Sequence, residues 1–116
     1  MHDLKFCQEI LNALIEKQSA LEKNAKIRAV TVRLSPLSHV KPKALAETFG
    51  VMVKDTPFAN VRLMIETLRL SMKCASCNKE FTIDKPTFAC PSCNDQSIDL
   101  IHQKEFTVDS IEIEQV

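Results

Sequence analysis

The residues best suited to chemistry are four cysteines in two Cys-x-x-Cys pairs, Cys74-Ala75-Ser76-Cys77 and Cys90-Pro91-Ser92-Cys93, with twelve residues between the pairs. Each pair can set two thiolates on one tight knuckle, and two facing knuckles complete a tetrahedron, the arrangement that holds zinc. Four thiolates leave no coordination position for water, so the expected ion is structural rather than catalytic. Two thioredoxin-type redox pairs are the competing reading; they call for a βαβ setting and a helix opening at the motif, which the flanking sequence does not offer. Asn78 and Asn94, each just past a pair, suit the left-handed backbone that such knuckles need.

The elements that position these cysteines follow from periodicity. Apolar residues at Leu4, Cys7, Ile10, Leu11, Leu14, Ile15 and Leu21 line one face of a first helix, with Glu9, Glu16, Lys17 and Glu22 toward solvent. Asp3 stands at its start, where a carboxylate complements the helix dipole, and Met1 and His2 are expected to project beyond it. Ile27 to Leu34 alternates as a half-buried strand, with Val30, Val32 and Leu34 on one face and Thr31 and Arg33 on the other. A second helix starts near Pro42, shares a face among Leu45, Phe49, Met52 and Val53, and ends near Asp55-Thr56-Pro57.

Beyond it, Val61, Leu63 and Ile65 give way to Leu68, Leu70 and Met72, a change of parity within one strand-like run. A similar slip separates Phe106 and Val108 from Ile111 and Ile113. Side chains alternate strictly along a strand, so each slip implies a bulge or a passage from one core to another. Two strands linking two lobes are inferred. The expected fold is α+β: a two-helix, three-stranded domain over residues 1–72 with 105–116, interrupted by a small zinc-ribbon-like domain over 73–104. That insert has few apolar residues, Phe81, Ile83, Phe88, Ile98, Leu100 and Ile101, and is shorter than the ~40 residues below which domains usually need a metal or disulfide.

Composition narrows the function classes. Fifteen basic residues balance fifteen acidic ones over 116 residues, which creates no field for a phosphate backbone or an anionic membrane. The insert itself mixes Lys79, Lys85 and Lys104 with Glu80, Asp84, Asp95 and Asp99, so neither nucleic acid nor membrane is expected as a partner. The first residues lack a secretory pattern and no stretch is long enough to span a bilayer, so a cytoplasmic protein with reduced, metal-ligating cysteines is expected. Cys7 falls on the apolar stripe of the first helix and reads as a small core hydrophobe. By residue type alone, His2, His39 and His102 read as solvent-facing histidines.

Taken together, Met1-His2 followed by an acidic residue, an amphipathic helix, strand, helix and strand, the double Cys-x-x-Cys insert and the closing Ser110-Ile111-Glu112-Ile113-Glu114 resemble the HypA/HybF family of hydrogenase and urease nickel-incorporation proteins. The resemblance implies a nickel metallochaperone and not an enzyme, with Ni(II) as cargo at Met1, His2 and Asp3 and Zn(II) held by Cys74, Cys77, Cys90 and Cys93. The chemistry is consistent with that placement: a free α-amino group, the His2 backbone nitrogen and its imidazole can close adjoining chelate rings, and the Asp3 backbone nitrogen can complete a square. Tetragonal nitrogen sites suit Ni²⁺ or Cu²⁺. His2 is too bulky to favour removal of the initiator methionine, so Met1 is expected to keep its amine.

The implied partners are a HypB-type GTPase and the large subunit of a NiFe hydrogenase, with urease maturation proteins as a further class, and the chain is expected to be a monomer or homodimer. The segment Ser35-Pro36-Leu37-Ser38-His39-Val40-Lys41 departs from the family's usual glycine- and glutamate-containing turn, and Lys41 stands where some relatives carry an extra carboxylate ligand. His39 could supply a nitrogen there instead. The alternative function is a zinc-ribbon adaptor for protein interactions without nickel transfer.

Overall fold

The computed structural model describes residues 2–83, 89–101 and 104–115, with His2 described by its backbone alone. Met1, the His2 side chain, Asp84, Lys85, Phe88 and His102, all singled out from the sequence, lie outside the described residues. In chain order the elements are α1 (His2–Ala20), β1 (Ala25–Leu34), α2 (Pro42–Val53), β2 (Arg62–Thr67), β3 (Leu70–Cys74), β4 (Glu80–Ile83), β5 (Ile98–Leu100) and β6 (Phe106–Gln115). They build two three-stranded sheets, ordered β2-β1-β6 and β4-β3-β5, so the fold is α+β with two helices.

β1 is the centre of the first sheet, parallel to β2 and antiparallel to β6. A parallel neighbour cannot be reached by a hairpin, and α2 supplies the crossover. Pro42 opens α2, where its missing N–H costs nothing, and Leu45 N–H donates the first helical bond to the Lys41 carbonyl at 3.0 Å. The helix stops at Val53, and Asp55 just beyond takes a left-handed φ of 65°.

One core serves both helices and the sheet. Cys7, Ile10 and Leu14 of α1, Val30, Val32 and Leu34 of β1, and Leu45, Phe49 and Val53 of α2 are all buried in it. The stripe read for α1 is shifted: Leu4 and Ile15 are exposed, whereas Phe6, absent from that stripe, is buried and stacks on Phe106 of β6 with ring centroids 4.6 Å apart. The reason is that α1 lies over β1 and β6 with α2 at its side, so its buried face is set by two neighbours rather than by one apolar stripe.

The two parity slips have different origins. The first is a passage between cores: Leu68 still donates its N–H to the Leu34 carbonyl at 2.9 Å, and Leu70 already belongs to the second sheet. The second is a bulge. Val108 pairs with Val32 and Ser110 with Thr31, so Asp109 is an extra residue and Phe106, Val108 and Ile111 all face the same core. The expectation that this segment is a second strand linking two lobes is therefore corrected, since β6 lies wholly in the first sheet.

In the second sheet, β3 sits between β4 and β5, and its Leu70 and Met72 are buried. Apolar cover from the insert is thin: Phe81, Ile83, Ile98 and Ile101 are half-buried and Leu100 is exposed. No described helix is long and apolar enough to cross a membrane.

Leu45 has no exposed surface and Val51, on the same helix, is 76% exposed. Leu45→Ala should therefore destabilise the fold by about 2–5 kcal/mol in chemical denaturation, while Val51→Ala stays within about 0.5 kcal/mol.

Candidate metal centre

β3 delivers Cys74 to the start of a tight turn whose backbone closes on itself. Cys74 N–H donates to the Lys79 carbonyl at 3.0 Å, and Asn78 N–H donates to the Cys74 carbonyl at 2.9 Å. The second knuckle repeats the pattern at the same spacing, with Cys90 N–H on the Asp95 carbonyl and Asn94 N–H on the Cys90 carbonyl, both at 2.8 Å. Asn78 and Asn94 take φ values of 64° and 62°, the left-handed conformation expected for them.

Polar contacts lock the knuckles together. Ser76 Oγ of the first donates to the Asp95 carboxylate of the second at 2.6 Å, and the same carboxylate accepts the Ser97 N–H at 2.8 Å. These bonds, the Ser76 one foremost, hold the Asp95 carboxyl below the usual carboxylate range. Asp95 and Ser76 were not read as site residues from the sequence, because only the folded turns bring them together.

The four sulfur atoms all lie within 4.8 Å of one another. Cys74 Sγ is 3.5 Å from Cys93 Sγ, and Cys77 Sγ is 3.7 Å from Cys90 Sγ. A tetrahedral ion at about 2.3 Å from each sulfur would set the edges at about 3.8 Å. The spacing thus fits one ion among four thiolates, and it is far from the roughly 2.05 Å of a disulfide.

The electrostatics agree. The backbone N–H of Cys93, with that of Ser92 at 3.4 Å, stabilises the Cys90 thiolate against burial and brings its pKa down to about 7. At Cys93 the Asp95 backbone N–H favours the thiolate, but the neighbouring sulfurs, Cys74 first, outweigh it and push the thiol up to about 12. Crowded sulfurs cannot all ionise until a cation shares the space. Cys7 is separate from this group: it is fully buried, its thiol lies 3.5 Å from the Leu45 carbonyl, and burial raises its pKa to about 11. It is the core residue expected.

At the other end of the sequence, the backbone is already helical at His2, which corrects the expectation that His2 projects beyond α1. A helix leaves its first four N–H groups without intrahelical acceptors, and the amide nitrogens of His2 and Asp3 fall in that set. The Asp3 carboxylate accepts a hydrogen bond from Thr48 Oγ of α2 at 2.9 Å, which keeps the Asp3 pKa below its ordinary value. Asp3 also lines a pocket of about 280 Å³ with His39, Val40, Lys41 and Ala44. The structure thus brings exposed His39 and its loop beside the start of α1, and it adds Thr48, which no local pattern identified.

An α+β core carrying a cluster of four cysteines that could hold a metal ion defines a small protein of the metal-binding class. Its sequence matches, over residues 1–113, the HypA family described as hydrogenase/urease nickel incorporation metallochaperones, and the chain belongs to that family. The hydrogenase maturation factor HypA of Solidesulfovibrio magneticus is 36% identical, the alignment covering 98% of this chain and 100% of that one. That of Desulfatibacillum aliphaticivorans is 34% identical, with 90% and 78% covered. Among solved structures, the Ni metallochaperone HypA from Helicobacter pylori shares the fold with a TM-score of 0.63 at 17% identity, over 98% of both chains. A second HypA solution structure gives 0.69 at 16% identity, covering 98% of this chain and 97% of that one.

Replacing Thr48 by Val should raise the Asp3 pKa toward its ordinary value, as read by NMR titration of the carboxyl carbon. A depressed carboxylate pKa contributes stability above the unfolded-state value and loses it as pH falls through the folded one. Any stability difference between the two proteins should therefore be present at neutral pH and fade below about pH 4.

Proposed function

We propose that this chain is a nickel metallochaperone that collects Ni(II) at Met1, His2 and Asp3 and delivers it for maturation of a NiFe hydrogenase, with urease maturation as a further destination. Family membership over residues 1–113 is the observation that carries this reading. The start of α1 at His2 supports it, because an amide nitrogen with no helical acceptor can lose its proton to a metal without breaking the helix. We assign the nickel function to residues 1–72 with 105–116, and the zinc-held lobe to 73–104, with the sheet of that lobe beginning at Leu70.

The cargo is held by the α-amino group of Met1, the backbone nitrogen and imidazole of His2, and the backbone nitrogen of Asp3. The Asp3 carboxylate acts indirectly, through its bond to Thr48, by fixing the first turn of α1 against α2. Release is a ligand exchange on docking to a HypB-type GTPase or to the immature large subunit in the cytoplasm, and no substrate bond is broken. Copper outranks nickel for such donors, so metal supply and docking set the selectivity rather than affinity.

Cys74, Cys77, Cys90 and Cys93 hold a structural zinc ion, which when bound supplies the cross-link that the thin apolar cover of the small lobe does not. Those residues orient the thiolates through the two knuckles and keep the lobe folded.

Nickel titration of three zinc-loaded proteins tests the cargo site: untagged chain, His2→Ala, and chain with one extra N-terminal residue. Untagged protein should bind about one Ni²⁺ and lose it on mild acidification as amine, amide and imidazole take up protons. Both variants should bind at least about tenfold more weakly, equivalent to about 1.4 kcal/mol. Equal binding by all three sinks the assignment.

For the second centre, elemental analysis should find about one zinc per chain, abolished in Cys90→Ser. Amide exchange in that variant should rise across β3, β4 and β5 while β1 stays protected. Retention of zinc, or unchanged protection in the small sheet, contradicts the structural role.

A further inference from the structure

The two knuckles form a short repeat. Cys74-Ala75-Ser76-Cys77-Asn78-Lys79 and Cys90-Pro91-Ser92-Cys93-Asn94-Asp95 share cysteine, serine and asparagine at the same places and differ only at the second and sixth residues. Within each knuckle the sixth residue plays the same backbone part. Its carbonyl accepts the N–H of the first cysteine, at 3.0 Å for Lys79 and 2.8 Å for Asp95, and its own N–H donates to the sulfur of the second cysteine.

The two differing places break this symmetry. At the second residue Ala75 has an N–H, which donates to the Ser97 carbonyl at 2.8 Å, whereas Pro91 has none to give. At the sixth, Asp95 has a carboxylate: Oδ2 accepts Ser76 Oγ at 2.6 Å and Oδ1 accepts the Ser97 N–H at 2.8 Å. Lys79, its counterpart, has no side-chain acceptor with which to return such a bond to Ser92. Both contacts therefore run one way, from donors on the first knuckle to acceptors at Asp95 and Ser97.

The sulfurs also differ in access, since Cys74 and Cys90 are buried, Cys77 is half-buried and Cys93 is exposed. An ion held by several ligands leaves them one at a time, and a ligand that has let go recaptures the ion at a rate set by its effective concentration. Cys93 is the sulfur that an incoming chelator reaches first. What keeps it near the other three is the placement of the second knuckle against the first.

We propose that Asp95 is a positioning residue of the metal centre, holding the two knuckles face to face through its bond to Ser76 and so slowing release of the ion. This rests on the structural-zinc reading of the four cysteines and extends it from the ligands to the groups that hold them. Asp95 is not itself a ligand, because its carboxylate is turned to Ser76 and Ser97.

Transfer of zinc from the loaded chain to an excess of chromogenic chelator tests the proposal. Ser76→Ala and Asp95→Ala should each speed release at least about threefold. Ser76→Ala added to Asp95→Ala should bring no further acceleration, because both remove the same bond. Ser76→Thr, which keeps the hydroxyl, should release zinc at close to the wild-type rate, as should Asp99→Ala, which removes a carboxylate of the same lobe outside this bond. Cobalt-substituted variants should keep the visible absorption of a tetrahedral four-thiolate site, which separates faster release from loss of a ligand or of the fold. Should Asp95→Ala lose that absorption, the comparison of Ser76→Ala with Ser76→Thr decides. Ser76→Ala that holds zinc as long as wild type, or Asp99→Ala that releases it as fast as Asp95→Ala, overturns the proposal. A wild type that takes up no zinc sinks the structural-zinc reading and this inference with it, whereas a loaded wild type with unresponsive variants sinks this inference alone.

Discussion

Burial of one face of β1 is the constraint from which the larger half of the molecule follows. Val30, Val32 and Leu34 must be kept from water, and strict alternation then commits Thr31 and Arg33 to the opposite face. Two helices are needed to cover the apolar side. A strand paired on both sides also fixes where its neighbours run: β2 parallel, reached through α2, and β6 antiparallel, returning from the small sheet. The opposite face carries exposed ion pairs instead, with Arg33 between Glu66 of β2 and Asp109 of β6 and Arg28 facing Glu112.

This arrangement determines what each end of the chain can do. The crossover through α2 sets Thr48 against Asp3 and swings the loop of His39 beside the first turn of α1, so that turn is tied to α2 at Asp3. At the other end of β2 the chain leaves this core at Leu68 and Arg69 and enters a sheet too sparsely covered to stand on apolar burial alone. Four sulfurs within 4.8 Å would repel one another as thiolates, and a cation among them would turn that repulsion into a cross-link that adds to the Ser76–Asp95 bond between the two knuckles.

The two parity slips show how far a linear pattern reaches. Each announced a break in alternation, and the reason is geometric, since no continuous strand can turn both parities to one core. Whether the break is a bulge or a change of sheet is decided by partners that are distant in sequence. Around residue 109 an antiparallel partner continues on both sides of the extra residue, so the strand absorbs it. Around residues 68 and 69 no strand of the first sheet continues beyond Leu34, and the chain moves on.

Local chemistry was legible in the sequence wherever a residue's role depends on its immediate neighbours. The two Cys-x-x-Cys knuckles with their left-handed asparagines, the start of α2 at Pro42, the face of β1 and the core placement of Cys7 are of this kind, because turn geometry and side-chain periodicity act over a few residues. Tertiary structure decided the rest. Phe6 joins the core through Phe106, 100 positions along the chain by number; Thr48 reaches Asp3; Ser76 reaches Asp95; and β2 is left at an edge. Each depends on which elements become neighbours, and that is settled by the shared burial of β1, α1 and α2, a collective property that no single segment encodes.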